Sequence, residues 1–203
     1  MTNKNDTMTG RQKILQKVYP FIMKLGKWLG TKASVHENAN HQQPITPPYN
    51  RTVQLNSGKE VSLQEFKGKK ILLVNTASNC GYTAQYQELQ ELSEQFQNKL
   101  VIIAFPANDF KEQEAGSDAE IEQFCQINYG VKFPLSKKSK VIPGKEQHPV
   151  FQWLSKPEEN GWCRQAPEWN FSKYLISEDG VLMRYFAPGV SPLDPQVMDA
   201  IRQ

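Results

Sequence analysis

Cys80 is the residue of this sequence best suited to covalent chemistry. It follows the apolar run Lys70–Thr76 (KILLVNT) and precedes a helical pattern that opens at Thr83. A helix N-terminus offers unpaired N–H groups and the positive end of the helix dipole, and both favour a thiolate over a thiol. A free Cys titrates near pH ~8.5, and such a setting lowers that value. The thiolate could attack an O–O bond, with a sulfenic acid as the first product. The same residue in the same turn fits an inert core cysteine equally well, because free Cys packs as a small hydrophobe. Residue chemistry alone leaves both readings open.

The surrounding spacing narrows the chemistry. Cys80-Gly81-Tyr82-Thr83 carries Thr where a CxxC pair would have its second Cys. A dithiol oxidoreductase is therefore excluded, and a resolving thiol must come from elsewhere in the chain or from a partner. The other cysteines are Cys125 and Cys163, and three cysteines in 203 residues make a poor disulfide scaffold. His36, His41 and His148 lie far from any Cys in sequence, so no structural zinc spacing exists. Neither a metal nor an organic cofactor is expected.

Several elements must hold Cys80 in place. Lys70–Thr76 and Leu100–Phe105 (LVIIAF) are nearly continuous apolar runs, the pattern of strands covered on both faces. Between them, Thr83–Gln97 reads as a helix, which makes a βαβ unit with parallel strands. Asn56-Ser57-Gly58-Lys59 joins Thr52–Leu55 to Glu60–Leu63 as a hairpin, and Ser177-Glu178-Asp179-Gly180 joins Lys173–Ile176 to Val181–Phe186 as another. Ser117-Asp118-Ala119-Glu120 is a capping box opening a helix through about Ile127. Pro149–Ser155 and Pro195–Arg202 read as further helices. The order predicts an α/β domain with a mixed central sheet flanked by helices.

Charge divides the chain unevenly. Residues 1–36 carry seven Lys or Arg and one Asp, a net +6, so the +3 of the whole chain leaves −3 for residues 37–203. A mildly acidic body argues against nucleic-acid binding, which needs a basic face. No apolar run of about 18 residues suggests a membrane span. Residues 11–30 read as a basic amphipathic helix, with Leu15, Val18, Tyr19, Phe21, Ile22, Leu25 and Leu29 on one broad face and Lys13, Lys17, Lys24 and Lys27 opposite. Pro20 should kink it. Residues 31–50, ending in Pro44, Pro47 and Pro48, read as a linker. The expected division is 1–48 for the helix and linker and 49–203 for the compact domain. The lysines interrupt any signal-peptide core, and a basic amphipathic helix is a candidate for peripheral contact with an anionic membrane. The expected location is cytoplasmic, with that membrane contact as an addition.

Three blocks carry a resemblance to a known family. Val74-Asn75-Thr76-Ala77-Ser78-Asn79-Cys80-Gly81-Tyr82-Thr83, with Gln85-Tyr86 and Leu89, resembles the peroxidatic-cysteine motif of the glutathione peroxidases. Phe105-Pro106-Ala107-Asn108-Asp109-Phe110 and Gln113-Glu114-Ala115-Gly116 resemble the second block, and Trp169-Asn170-Phe171-Ser172-Lys173-Tyr174-Leu175 the third, in the family's order. The similarity runs from about Thr52 to Ile201. It implies a thioredoxin-like fold and a peroxidase that reduces hydrogen peroxide and organic or lipid hydroperoxides in oxidative-stress defence. It also implies that Cys80 is the peroxidatic residue and that Gln113, Trp169 and Asn170 complete a catalytic tetrad. The residue types suit those roles: amide and indole N–H groups donate hydrogen bonds to a thiolate or a departing oxygen without competing as nucleophiles.

The departures bear on how the site is reset. Ala107 stands where many family members have Cys, so that position has no redox role here. Thioredoxin-dependent members place a resolving Cys in the helix that holds Cys125, although counted back from Phe133-Pro134 it lies one position earlier than in some. One position is about 100° of helix rotation, and a disulfide needs Cα atoms within about 7 Å, so Cys125 would require local unwinding. Cys163, beside Arg164, is a second candidate resolver. The short stretch between His148 and Trp169 resembles the compact, monomeric members. Thioredoxin is the expected reductant and glutathione the alternative. Two other functions stay in view: a peroxide sensor that relays oxidation to a partner protein, and a non-catalytic thioredoxin-like interaction module.

Overall fold

The computed structural model describes residues 7–28 and 34–203. Five strands form the central sheet: β1 (Val35–Glu37), β4 (Lys70–Thr76), β5 (Leu100–Pro106), β6 (Lys173–Ile176) and β7 (Leu182–Phe186), in the order β1-β7-β6-β4-β5. β4 and β5 are parallel, and the other neighbours are antiparallel. A separate hairpin pairs β2 (Thr52–Gln54) with β3 (Glu60–Ser62). The helices are α1 (Gly10–Trp28), α2 (Gln85–Gln95), α3 (Asp118–Tyr129), α4 (Pro149–Leu154), α5 (Pro157–Asn160) and α6 (Pro195–Arg202). This is the mixed sheet of a thioredoxin-like fold.

Strand alternation explains the unbroken apolar runs. Leu72 and Val74 of β4, Ile102 and Ala104 of β5, and Leu175 of β6 face a core shared with α2, α3 and α6. Their neighbours Ile71, Leu73, Ile103, Phe105, Tyr174 and Ile176 face a second core with α4 and the hairpin. Successive side chains of a strand point to opposite faces. Both faces are covered, so the middle positions are apolar, and the buried polar residues Lys70, Asn75, Thr76 and Lys173 stand at the strand ends.

The predicted capping box holds α3. Ser117 Oγ accepts from the Glu120 N–H, and the Glu120 carboxylate accepts from the Ser117 N–H at 2.8 Å. The helix runs two residues past the expected end and stops at Gly130, whose φ of 63° suits a residue without Cβ.

Two local expectations are corrected. Residues 35–37 lie within the stretch that reads as linker, yet they form the edge strand β1, pairing Val35 with Phe186 and Glu37 with Arg184. The stretch after it is tied down as well: Trp153 Nε1 donates to the Thr46 carbonyl at 2.7 Å, and the Gln43 carbonyl closes on Gly161. A three-residue edge strand satisfies only one side's hydrogen bonds and leaves almost no periodic signal in the sequence. α1 continues through Pro20 to Trp28. Finally, α1 does not use its apolar residues as one face. Tyr19 is buried against the domain with Ile22 half-buried, whereas Val18, Phe21 and Leu25 point outward. Leu29, Lys4 and Lys32 lie outside the described residues.

Candidate active site

The turn that carries Cys80 is built between β4 and α2. α2 begins at Gln85 with Ala84 as its cap, so Cys80 stands in a run of tight turns ahead of the helix rather than in its first turn. The helix dipole therefore acts at greater range than the sequence suggested. Thr83 holds the turns together: its hydroxyl accepts from the Cys80 N–H at 2.9 Å and lies 2.8 Å from both the Ala77 and Cys80 carbonyls. The position that a CxxC motif would give to a second sulfur thus serves as a staple.

Two distant segments close on this turn. The Asn79 N–H donates to the Gln113 carbonyl at 3.1 Å, joining the turn to the loop after β5. That loop reverses through Lys111 and Glu112, with φ of 51° and 52°. From the other side comes the Trp169–Ser172 segment, which turns on Phe171 at φ 69°. Asn75 fixes it: Asn75 Nδ2 donates to the Trp169 carbonyl at 3.0 Å, Oδ1 accepts from the Ser172 N–H at 3.0 Å, and the Asn75 carbonyl accepts from the Phe171 N–H at 2.6 Å. Non-glycine residues in left-handed conformations are uncommon and persist where the surroundings hold them. Here all three lie close in sequence to Gln113 or Asn170.

The four predicted tetrad residues come together. Cys80 Sγ accepts from the Tyr82 N–H at 3.5 Å, and the Trp169 and Asn170 side chains and the Gly81 N–H act on the same sulfur to lower its thiol. Asn170 Nδ2 donates to Gln113 Oε1 at 2.9 Å, so Gln113 joins the group through Asn170. Asn170 Oδ1 is buried and has no partner among the described residues. The Trp169 ring packs on Phe110 at 5.4 Å between centroids, with the Lys111 ammonium 5.6 Å from its own centroid.

Electrostatics departs from expectation. Burial pushes the Cys80 thiol up, and the four donors pull it down by less. Desolvation disfavours the charged form, and a residue 1% exposed feels it almost in full. Burial likewise pushes Cys125 up to about 12 and Cys163 to about 11. Cys125 lies in the same core as Cys80, faced by the Tyr86 hydroxyl. Cys163 sits in the second core, across the sheet from Cys80, with its N–H and carbonyl bound to the Asn160 side chain. Arg164 does not offset its burial.

Two residues with no role expected from the sequence belong to this neighbourhood. Asn75 is the bracket just described. Glu114 is buried beside the peroxidatic turn, and burial raises its carboxyl to about 7, with Ser78 pulling the other way. Both lie inside the motif blocks, but nothing in an Asn on a strand or a Glu in a loop signals burial. A cleft of about 430 Å³ opens at Glu114, lined also by Gln12, Ser78, Asn79, Gln113 and Phe124. Gln113 belongs both to the cleft and to the tetrad. Among the described residues no group of three or more His, Cys, Asp or Glu could hold a metal ion.

Comparison with known proteins agrees with this geometry. The family described as glutathione peroxidase matches residues 48–155. A glutathione peroxidase of Lactococcus lactis subsp. cremoris is 45% identical over 137 residues, 67% of this chain and 86% of the relative. The glutathione peroxidase homolog BsaA of Bacillus subtilis is 38% identical over 158 residues, 76% of this chain and 98% of the relative. Among solved structures, apo Trgpx superposes with a TM-score of 0.58 at 31% identity, covering 78% of this chain and 97% of that one. Trypanosoma cruzi GPX1 gives 0.58 at 27%, covering 77% and 93%. The match to the family over more than half the chain, and the relatives' identity over two thirds of it or more, establish that the chain belongs to the glutathione peroxidase family, thiol peroxidases on a thioredoxin-like fold.

Proposed function

We propose that Cys80 is the peroxidatic residue and that it reduces hydrogen peroxide and organic hydroperoxides in defence against oxidative stress. The observation that carries this reading is the gathering of the Tyr82 and Gly81 N–H groups and the Trp169 and Asn170 side chains around one buried sulfur. The thiolate attacks one peroxide oxygen and the O–O bond breaks. Cys80 becomes a sulfenic acid, and the other oxygen leaves as water or an alcohol with the proton given up by the thiol. Trp169 and Asn170 hold the negative charge, first on sulfur and then on the departing oxygen. Gln113 orients the Asn170 amide and has its own Nε2 left to donate.

Cys125 is the candidate resolver. Its burial in α3 means that the middle turns of that helix must open before Cys80 and Cys125 can form a disulfide. An intramolecular disulfide is the species that a dithiol such as thioredoxin reduces by exchange, so thioredoxin is the favoured donor and the monomer the working unit. Cys163, on the far side of the sheet, is a poor alternative. The burial of Cys125 also favours a second reading, in which the sulfenic acid on Cys80 lasts long enough to pass its oxidation to a partner protein.

NADPH-coupled turnover with a thioredoxin system and, separately, with glutathione and its reductase tests both. Turnover with thioredoxin that disappears in Cys80→Ser and in Cys125→Ser supports the two-cysteine cycle. Rapid oxidation of Cys80 without turnover in either system supports the relay. A Cys80 that peroxide does not oxidise sinks both.

A further inference from the structure

α1 has two working faces. The inner one is seated on the peroxidatic turn: Gln12 Nε2 donates to the Ser78 carbonyl at 3.0 Å, the Tyr19 hydroxyl donates to Glu88 at 2.9 Å, and Ile22 lies against Gly81. Thr7, Thr9 and Gln12 complete the wall of the cleft that Gln113 lines. The helix is thus part of the surroundings of Cys80.

The outer face is apolar and open. Ile14 is 63% exposed, Val18 40%, Phe21 66% and Leu25 40%. Their spacing of four, three and four residues draws one line along a helix of 3.6 residues per turn. Only three other large hydrophobic residues are exposed among the described residues, Ile45, Ile127 and Ile142, so this line is the main apolar feature of the described surface. Lys17 and Lys24 border it on one side and Arg11 on the other, all exposed. No Asp or Glu occurs anywhere in residues 7–36. An apolar stripe between basic margins suits the boundary of an anionic bilayer, where apolar side chains enter the acyl region and cations meet phosphates. A second copy is a worse fit, since pairing the same face would bring Lys17 and Lys24 against their own counterparts. No helix among the described residues is long and apolar enough to cross a membrane.

We propose that α1 docks this protein on an anionic phospholipid surface through Ile14, Val18, Phe21 and Leu25, which sets the peroxidatic turn beside the bilayer. The docking does not rest on the peroxidase reading above. One helix diameter, about 10 Å, would separate the lipid from the peroxidatic turn. A hydroperoxide group is polar and is expelled from hydrocarbon toward the headgroups, which brings it to the same level. Its reduction is the reaction given above, with the lipid alcohol as leaving product.

The test is co-sedimentation of the full chain with vesicles of phosphatidylcholine alone or mixed with phosphatidylserine, beside turnover of phosphatidylcholine hydroperoxide in those vesicles and of hydrogen peroxide in solution. The native chain should bind the mixed vesicles and bind pure phosphatidylcholine less. Phe21→Glu and the milder Phe21→Ala should weaken binding about tenfold or more, the scale of one large apolar side chain kept out of the bilayer, and cut lipid-hydroperoxide turnover in proportion. Turnover of hydrogen peroxide should be unchanged, which also shows that the variants fold. Failure of the native chain to bind, or equal binding by Phe21→Glu, overturns the docking. A dimer that Phe21→Glu dissociates, with no vesicle binding, gives the face to a second copy and overturns it too. Binding with no reduction of the vesicle hydroperoxide, while hydrogen peroxide is consumed, overturns the placing of the peroxidatic turn beside the bilayer. Binding with neither peroxide consumed points to failure of the peroxidase reading alone.

Discussion

Cys80 and Cys163 stand on opposite faces of one sheet, and each is 1% exposed. Burial pushes both thiols up. The difference lies in what surrounds the sulfur. Cys80 accepts a hydrogen bond from its own turn, and the Trp169 and Asn170 side chains, far along the chain, also lower its thiol, whereas among the described residues Cys163 is lowered by the Gln165 N–H alone. Asn160 binds the backbone of Cys163 and fixes a loop, but does nothing for its sulfur. Burial alone therefore does not separate a working cysteine from a packing one. What separates them is whether the surroundings can hold a negative charge that appears during a reaction.

The widest expected gap is between the two cysteines themselves. Cys80→Ser should lower peroxide turnover by about 10⁴-fold or more, the scale of losing a nucleophile, while Cys163→Ala leaves it unchanged; a steady-state comparison settles it. Next comes the donor set. Trp169→Phe or Asn170→Ala, each removing one donor, should reduce kcat/KM by about 10²-fold and slow alkylation of Cys80 at neutral pH. A loss confined to thermal stability would show these residues to be packing only.

The comparison extends to the neighbours of each cysteine. Glu114 has a folded-state carboxyl raised from 4.5 to about 7, so folding favours its protonated form. That contribution is fully present below pH 4.5 and disappears as pH rises through about 7. Glu114→Gln should flatten that fall in stability by up to ~3 kcal/mol, read as the difference between denaturant midpoints of the two proteins across pH 4–8. On the other side, Gly161→Ala forces a side chain onto a residue with φ of +98° and into the Gln43 carbonyl, 2.4 Å from where its Cβ would lie. It should lower stability by about 1–3 kcal/mol with peroxide kinetics unchanged. A change in kcat there would mean that the Cys163 loop communicates with the site after all.

Much of the frame was legible because it rests on local rules. The runs at Lys70–Thr76 and Leu100–Phe105 could only be covered strands, and Ser117 with Glu120 could only open a helix. The motif blocks named Cys80, Gln113, Trp169 and Asn170, and these four do converge. The edge strand at Val35–Glu37 was hidden, because three residues of half-exposed backbone leave no period to read. The start of α2 at Gln85 was hidden too: Tyr82, Thr83 and Ala84 suit a helix as well as a turn, and the Thr83 hydroxyl decides for the turn. The helix-terminus argument for a low Cys80 pKa failed for that reason and because burial outweighs the donors.

The sequence by itself determined the order of the longer elements, the family, and which residue types could take part in chemistry, since these depend on composition, period and short-range spacing. Only the tertiary structure decided that Asn75 brackets the Trp169–Ser172 segment, that Cys163 lies across the sheet, that Glu114 is buried, and that α1 turns Tyr19 inward and Phe21 outward. Those outcomes depend on which surfaces meet. A helix of apolar and basic residues can present more than one face to a partner, and the choice is made by the groove it finds.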